Sequence, residues 1–176
     1  MLDPNQTRPR FPPPRHPQET ALHKHIFVNL PVTDLPRSKA FFAALGLTFE
    51  PRFTDHTAAC MILGENIFAM LLTTEKFQGF TPKPASKAHA STEVLVCLSC
   101  ESRAEVEDLV AKAVAAGGTA PQPPMDYGFM YAHGFTDPDG HIWELMYMDM
   151  SAAPPEMQPP QPAGTPSGSP DHQATT

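Results

Sequence analysis

An internal repeat constrains the fold of this chain more than any other feature. Residues 26–74 and 92–148 each contain a strand, a helix and three further extended segments, in the same order. In the first unit, an apolar and β-branched strand over residues 26–33 precedes a helix that Asp34 caps and Gly46 ends. The repeat predicts two βαβββ modules, one following the other along the chain.

The second unit carries its own start and stop signals. A strand over residues 92–99 is followed by Ser102 and Glu105, whose spacing fits a capping box at the start of a helix. Asp137 to Gly140 form a turn sequence between the last two predicted strands. One helix cannot cover the sheet of its own module, so the two modules must pack together. We therefore predict an α+β fold in which tandem modules form a curled mixed sheet around a cleft.

The two ends of the chain differ in composition from its centre. Residues 1–22 contain six prolines, and residues 151–176 contain seven among Ser, Gly, Gln and Thr. Such segments bury too little apolar surface to offset the entropy lost on folding, which predicts disordered tails. Residues 23–150 are long enough for one domain, with the linker at 75–91 as a flap over the cleft.

Charge and apolar patterning exclude several classes of function. Within residues 23–150, nine Lys and Arg stand against fifteen Asp and Glu, and the whole chain has a formal net charge of −7. This balance disfavours binding to nucleic acids. No apolar run reaches the about 18 residues that a membrane helix needs, and no signal peptide precedes the core. We expect a cytoplasmic protein without membrane association.

Three motifs carry a resemblance to a known superfamily. They are VTDLPRSKAFFAALGL after the first strand, SCESRAEVEDLVAKAVAAGG in the second module and DPDGHIWEL near its end. Together they resemble the vicinal oxygen chelate superfamily, which contains glyoxalase I, the extradiol dioxygenases and the bleomycin- and fosfomycin-resistance proteins. Within it, the chain resembles the branch of predicted lactoylglutathione lyases.

The resemblance implies four positions for metal ligands. Members that bind a metal use His or Glu there, and the ion stabilises the oxyanion that develops on the substrate. In this chain the four positions are Phe27, Leu71 (or Met70 if the register shifts by one residue), Leu95 and Glu144. Only Glu144 can bind a metal ion, so we expect no metal cofactor at the usual site.

Two alternatives assign a role to the remaining polar residues. Asn29, Glu93 and Glu144 would form a displaced, oxygen-rich site that suits Mg²⁺ or Mn²⁺. Alternatively, Glu144 acts alone as a general acid or base, because an apolar cleft favours the protonated form of a carboxyl group. Tyr131 is predicted to stack on a flat ligand. His141 is predicted to face solvent, because it lies three residues before Glu144 on the same strand and so on the opposite face.

Two functional hypotheses follow. The first is a lyase or isomerase that acts on a small oxygenated metabolite, with Glu144 as acid or base. The second is a metal-free protein that binds or sequesters a small molecule without catalysis, as bleomycin-resistance proteins do. In both cases we expect a small-molecule ligand, contacted by Phe27, Asn29, Met70, Glu93, Leu95 and Tyr131, and a cleft that a homodimer builds or completes.

Overall fold

The computed structural model describes residues 23–157. The first module contains β1 (Ile26–Val32), α1 (Leu35–Ala44), β2 (Thr48–Glu50), β3 (Ala58–Gly64) and β4 (Ile67–Thr73). The short helix α2 (Thr74–Gln78) opens the linker. The second module contains β5 (Leu95–Ser99), α3 (Arg103–Ala115), β6 (Met125–Asp126), β7 (Met130–Thr136) and β8 (Ile142–Met148).

The predicted tails lie mostly outside this region. Residues 1–22 and 158–176 are not described. Residues 151–157 are described: they contain a 3₁₀ turn at Pro155–Met157, and Ala153 is buried. No helix within residues 23–157 is long and apolar enough to cross a membrane.

The two modules have the same sheet topology. The strand order is β1-β4-β3-β2 in the first sheet and β5-β8-β7-β6 in the second. In each sheet the first and last strands of the module pair in parallel, and the other pairs are antiparallel. The α+β class and the tandem βαβββ modules are therefore confirmed. In place of one curled sheet, the structure has two separate four-stranded sheets, because no strand pair joins them within residues 23–157.

Side chains at the predicted helix starts form the expected caps. The Asp34 carboxylate accepts a hydrogen bond from the Arg37 backbone N–H at 2.9 Å at the start of α1. The Ser102 hydroxyl accepts one from the Glu105 N–H at 3.1 Å at the start of α3. Local sequence therefore fixes where both helices begin.

Some element boundaries differ from the sequence-based predictions. β2 ends at Glu50 because Pro51 starts a 3₁₀ turn, and β5 begins at Leu95 rather than at residue 92. Residues 119–124 contribute one isolated bridge, from Thr119 to Thr136, and no regular strand. Proline at the start of a turn and polar residues before an apolar run account for the shorter strands.

Both modules share one hydrophobic core. The inner faces of the two sheets pack with α1 and α3 into a single cluster of buried side chains. At its centre the Trp143 ring lies edge-on to Phe42, with ring centroids 5.1 Å apart, and is stacked with Phe135 at 6.4 Å. Trp143 comes from the second module and Phe42 from the first, so neither module buries its apolar face alone.

The turn at Asp137–Gly140 joins the modules. The Asp139 carboxylate accepts hydrogen bonds from the Thr33 N–H at 2.8 Å and from the Ser38 hydroxyl at 2.6 Å, both in the first module. His141 Nε2 donates to the Pro31 carbonyl at 2.8 Å. The prediction that His141 faces solvent is wrong: its exposed fraction is 8%, because the turn folds back onto β1.

Candidate functional site

The outer face of the first sheet carries three of the predicted site residues. Phe27 pairs with Phe68 and Asn29 with Met70 across the parallel β1 and β4 strands, so these four side chains share one face. The Phe27 and Phe68 rings are stacked with centroids 4.9 Å apart, and Phe27 is 51% exposed. Met70 is therefore the fourth-strand residue on the face of Phe27.

Leu71, the other residue considered for this position, lies on the opposite face of β4. It is fully buried in the core beneath the sheet. β4 ends at Thr73, and α2 follows directly.

Glu144 lies on the outer face of the second sheet. The register of β5 and β8 pairs Leu95 with Ile142 and Cys97 with Glu144, so Leu95 and Glu144 share that face. Within residues 23–157 the Glu144 carboxylate forms no hydrogen bond or ion pair, although its side chain is half-buried. Burial, followed by the charge of Glu144, raises the pKa of the neighbouring Cys97 thiol. Cys97 was not among the predicted site residues; the strand pairing places it there.

A cavity of about 110 Å³ lies beside Glu144. Its walls are mainly apolar and include Pro121, Pro123 and Ile142. Gly134 is paired with Glu144 on the neighbouring strand, and a Cβ atom there would lie 2.7 Å from the Trp143 carbonyl oxygen. The close approach of the two strands leaves no room for a side chain at Gly134. The cavity is of a size suited to one substituent of a ligand.

A second cavity, of about 220 Å³, lies where the two modules meet; we call it the junction cavity. Asn29 and Glu93 both line it, and Glu144 does not. Glu144 instead lines the smaller cavity on the second sheet. The structure thus brings together two members of the oxygen-rich cluster predicted from the sequence and places the third elsewhere.

Tyr131 is on the opposite face of the second sheet from Glu144. It pairs with Tyr147, on the face covered by α3, and its hydroxyl donates a hydrogen bond to Glu107. That hydrogen bond raises the pKa of Tyr131, and the Arg103 guanidinium lies 4.9 Å from the ring centroid. His133 shares this face, with Nδ1 3.4 Å from Glu107 Oε1. The sheet therefore separates Tyr131 from the other predicted site residues.

The side chains at the four implied metal-ligand positions do not fit a divalent metal ion. Phe27, Met70 and Leu95 offer no ligand atom suited to a divalent ion at their positions. Among the residues that the structure describes, no group of three or more His, Cys, Asp or Glu side chains could hold a metal ion. One carboxylate does not compete with water for such an ion.

Comparison with known proteins agrees with the architecture. Residues 24–64 match the family model for the bleomycin resistance protein-like N-terminal region. Among solved structures, a hypothetical protein, SA1046, from S. aureus is 26% identical, with a TM-score of 0.62; the match covers 72% of this chain and 94% of that one. Comparison with curated proteins finds no match.

Two further solved structures share the fold at lower identity. A glyoxalase-related enzyme from Fulvimarina pelagi is 22% identical, with a TM-score of 0.60, over 72% of this chain and 88% of that one. A glyoxalase/bleomycin resistance protein/dioxygenase family enzyme from Burkholderia phytofirmans is 16% identical, with a TM-score of 0.59, over 69% and 96%. The shared fold and the match over residues 24–64 support the resemblance to the vicinal oxygen chelate superfamily.

Proposed function

We propose that this protein binds a small, largely apolar molecule on the outer faces of its sheets and needs no metal ion to do so. The observation that carries the proposal is the replacement of three metal-ligand positions by Phe27, Met70 and Leu95. Apolar and aromatic side chains with few polar groups are typical of ligand pockets. The Glu144 carboxylate, which has no partner among residues 23–157, supplies an acceptor that orients a ligand hydroxyl or N–H group.

The Glu144→Gln variant tests this role. A hydrogen bond to a charged group contributes about 1.5–3 kcal/mol, so we expect the affinity for a bound compound to fall about 10- to 100-fold. Compounds are found by a thermal-shift screen of small metabolites, and their affinity is measured by calorimetry with and without EDTA. Glu65→Gln, in the exposed β3–β4 turn, is the matched control. Binding that EDTA abolishes, or that Glu144→Gln leaves unchanged, contradicts the proposal.

We further propose that a second copy of the chain completes the ligand site. Large apolar side chains stay exposed at the starts of the strands: Phe27 and Leu95 on the outer faces, and Ile26 and Ile67 on the other face of the first sheet. Exposed large apolar side chains favour association. In a twofold dimer, each copy contributes the same surface to the interface. The exposed apolar side chains of one copy would then pack against the same side chains of the second copy.

Introducing a charge at Leu95 is expected to weaken the dimer. Leu95→Glu would place an unpaired carboxylate in the interface, and we expect the dimer dissociation constant to rise about 100-fold or more. Sedimentation velocity over a range of concentrations measures the change. Val114→Glu is the control, because Val114 is 48% exposed on α3, away from the outer faces. A wild-type protein that stays monomeric at high micromolar concentration would refute the dimer.

A glyoxalase-like lyase or isomerase is the second candidate. The half-buried Glu144 carboxylate has no hydrogen-bond or ion-pair partner in the part of the chain that the structure describes, so it is free to exchange a proton with a bound carbonyl compound. Assays with methylglyoxal and glutathione, with and without Ni²⁺, Zn²⁺, Mn²⁺ or Mg²⁺, test this activity. Turnover that Glu144→Gln abolishes supports catalysis, whereas inactivity under all conditions removes the glyoxalase I reaction.

A further inference from the structure

The junction cavity lies between the free edges of the two sheets. β1 is an edge strand of the first sheet and β5 an edge strand of the second. The cavity is bounded by β1 and by the residues leading into β5 and β8, so both modules contribute to its walls. It is a separate volume from the cavity beside Glu144.

A loop closes one side of the junction cavity, and the turn at Gly140 allows the loop to approach. Ser86 and Ser91 are joined by a hydrogen bond of 2.7 Å between their hydroxyls, which holds the ends of the loop together. A Cβ atom at Gly140 would lie 2.6 Å from the backbone nitrogen of His89 and 2.8 Å from the carbonyl carbon of Ala88. Gly140 also has a φ of +95°, which glycine adopts without strain. The wall of the cavity therefore depends on a glycine at this position.

The polar side of the junction cavity presents hydrogen-bond acceptors together with the hydroxyls of Ser86, Ser91 and Thr92. Among residues 23–157, Glu93 and His141 are the only ionisable residues that line it, and no Lys or Arg does. The Glu93 carboxylate and the Asn29 amide form no hydrogen bond with residues 23–157. Because His141 Nε2 donates to the Pro31 carbonyl, Nδ1 of the neutral ring is left as an acceptor. In the part of the chain that the structure describes, the Glu93 carboxylate forms no ion pair and no Lys or Arg lines the cavity, so the cavity offers one uncompensated negative charge.

The other side of the junction cavity is apolar. Val28, Val94 and Ile142 contribute aliphatic surface, and Phe77 contributes an aromatic ring. An aromatic face attracts a cation through its quadrupole, in addition to providing apolar contact. At about 220 Å³ the cavity is smaller than the pockets that hold drug-sized ligands, which limits the ligand to a compact one.

We infer that the junction cavity is a second binding site, for a small primary ammonium ion that carries a compact apolar group. The ammonium group donates hydrogen bonds to Glu93, Asn29 and His141, and the apolar group packs against Phe77 and the aliphatic wall. Ile142 lines both cavities, but the polar groups of this site, Glu93, Asn29 and His141, do not include Glu144. The site is therefore tested independently of the proposed role of Glu144.

Benzylamine and benzyl alcohol test the inference, because they share their size and apolar part and differ in charge. In ¹H–¹⁵N correlation spectra of the full chain, we expect benzylamine to shift the amides of residues 29, 93–94 and 140–142. Benzyl alcohol should bind about tenfold more weakly or worse, the effect of losing a charge-assisted interaction. Equal affinities for the two probes, or shifts that map around Glu144 instead, would overturn the inference.

The Glu93→Gln variant tests whether the Glu93 carboxylate is the negative charge that binds the ammonium group. Glu93 is exposed and precedes β5, so the substitution leaves the core intact. We expect the affinity for benzylamine to fall about tenfold and the affinity for benzyl alcohol to stay the same. Glu65→Gln again serves as the control and should bind both probes like the wild-type protein. An unchanged affinity of Glu93→Gln for benzylamine would overturn the inference.

Discussion

Replacing Trp143 with alanine is expected to lower the free energy of unfolding by about 3–5 kcal/mol. The Trp143 side chain is fully buried and contacts Phe42 of the other module and Phe135 of the neighbouring strand. Its Nε1–H also donates to Asp137 at 3.1 Å, so the substitution leaves a buried carboxyl group without this donor. Urea denaturation followed by circular dichroism measures the change.

An exposed aromatic residue provides the matched control for Trp143. Phe53 is 60% exposed, and Phe53→Ala should change the free energy of unfolding by about 0.5 kcal/mol or less. If Trp143→Ala costs no more than Phe53→Ala, the two modules do not share the core described here.

Replacing Asp139 with alanine is expected to cost about 2–4 kcal/mol of stability. Its carboxylate accepts hydrogen bonds from the Thr33 N–H, the Thr33 hydroxyl and the Ser38 hydroxyl, and it lies 3.3 Å from the Arg37 guanidinium. All of these donors belong to the first module, while Asp139 belongs to the second. Alanine would leave the buried Ser38 hydroxyl without this acceptor. Thermal and urea unfolding of Asp139→Ala measure the loss, and a change within about 0.5 kcal/mol of zero would contradict it.

The hydrogen bonds and the ion pair of Asp139 also predict how the stability of the fold depends on pH. Burial raises the pKa of Asp139, but the hydrogen bonds from Ser38 and Thr33 and the charge of Arg37 outweigh it and hold the pKa below its ordinary value. A carboxyl group with a lowered folded-state pKa stabilises the fold above its unfolded pKa, and that contribution is lost as the pH falls below about 4. Burial raises the pKa of Asp137, which acts in the opposite direction.

Comparing the wild-type protein with Asp139→Asn isolates the contribution of Asp139, because Asp137 is present in both. The difference in stability between the two proteins should be largest near neutral pH and shrink as the pH falls below about 4. A difference that stays constant between pH 7 and pH 3 would show that the charge of Asp139 does not contribute.

Features set by local sequence could be predicted from the chain alone. Asp34 and Ser102 cap their helices because a cap needs only one side chain and a backbone N–H three residues on. The Asp137–Gly140 turn is confirmed for the same reason, with the Asp137 N–H donating to the His141 carbonyl at 3.0 Å. The repeat of these local signals is what made the tandem modules predictable.

Features set by contacts between distant residues could not be predicted in this way. His141 is buried because the turn folds onto β1, a contact that spans more than a hundred residues. The face of Tyr131 depends on the register of β7 against β8, and a shift of one residue would reverse it. For the same reason the sequence left Leu71 and Met70 as alternatives, and only the pairing of Met70 with Asn29 assigns a face.

Native mass spectrometry combined with elemental analysis of the purified protein tests the central claim most directly. We predict a small organic compound bound to the protein at a defined stoichiometry, which Glu144→Gln retains less well, and no divalent metal ion at one per chain. A divalent ion at one per chain, lost in Glu144→Gln, would contradict the account.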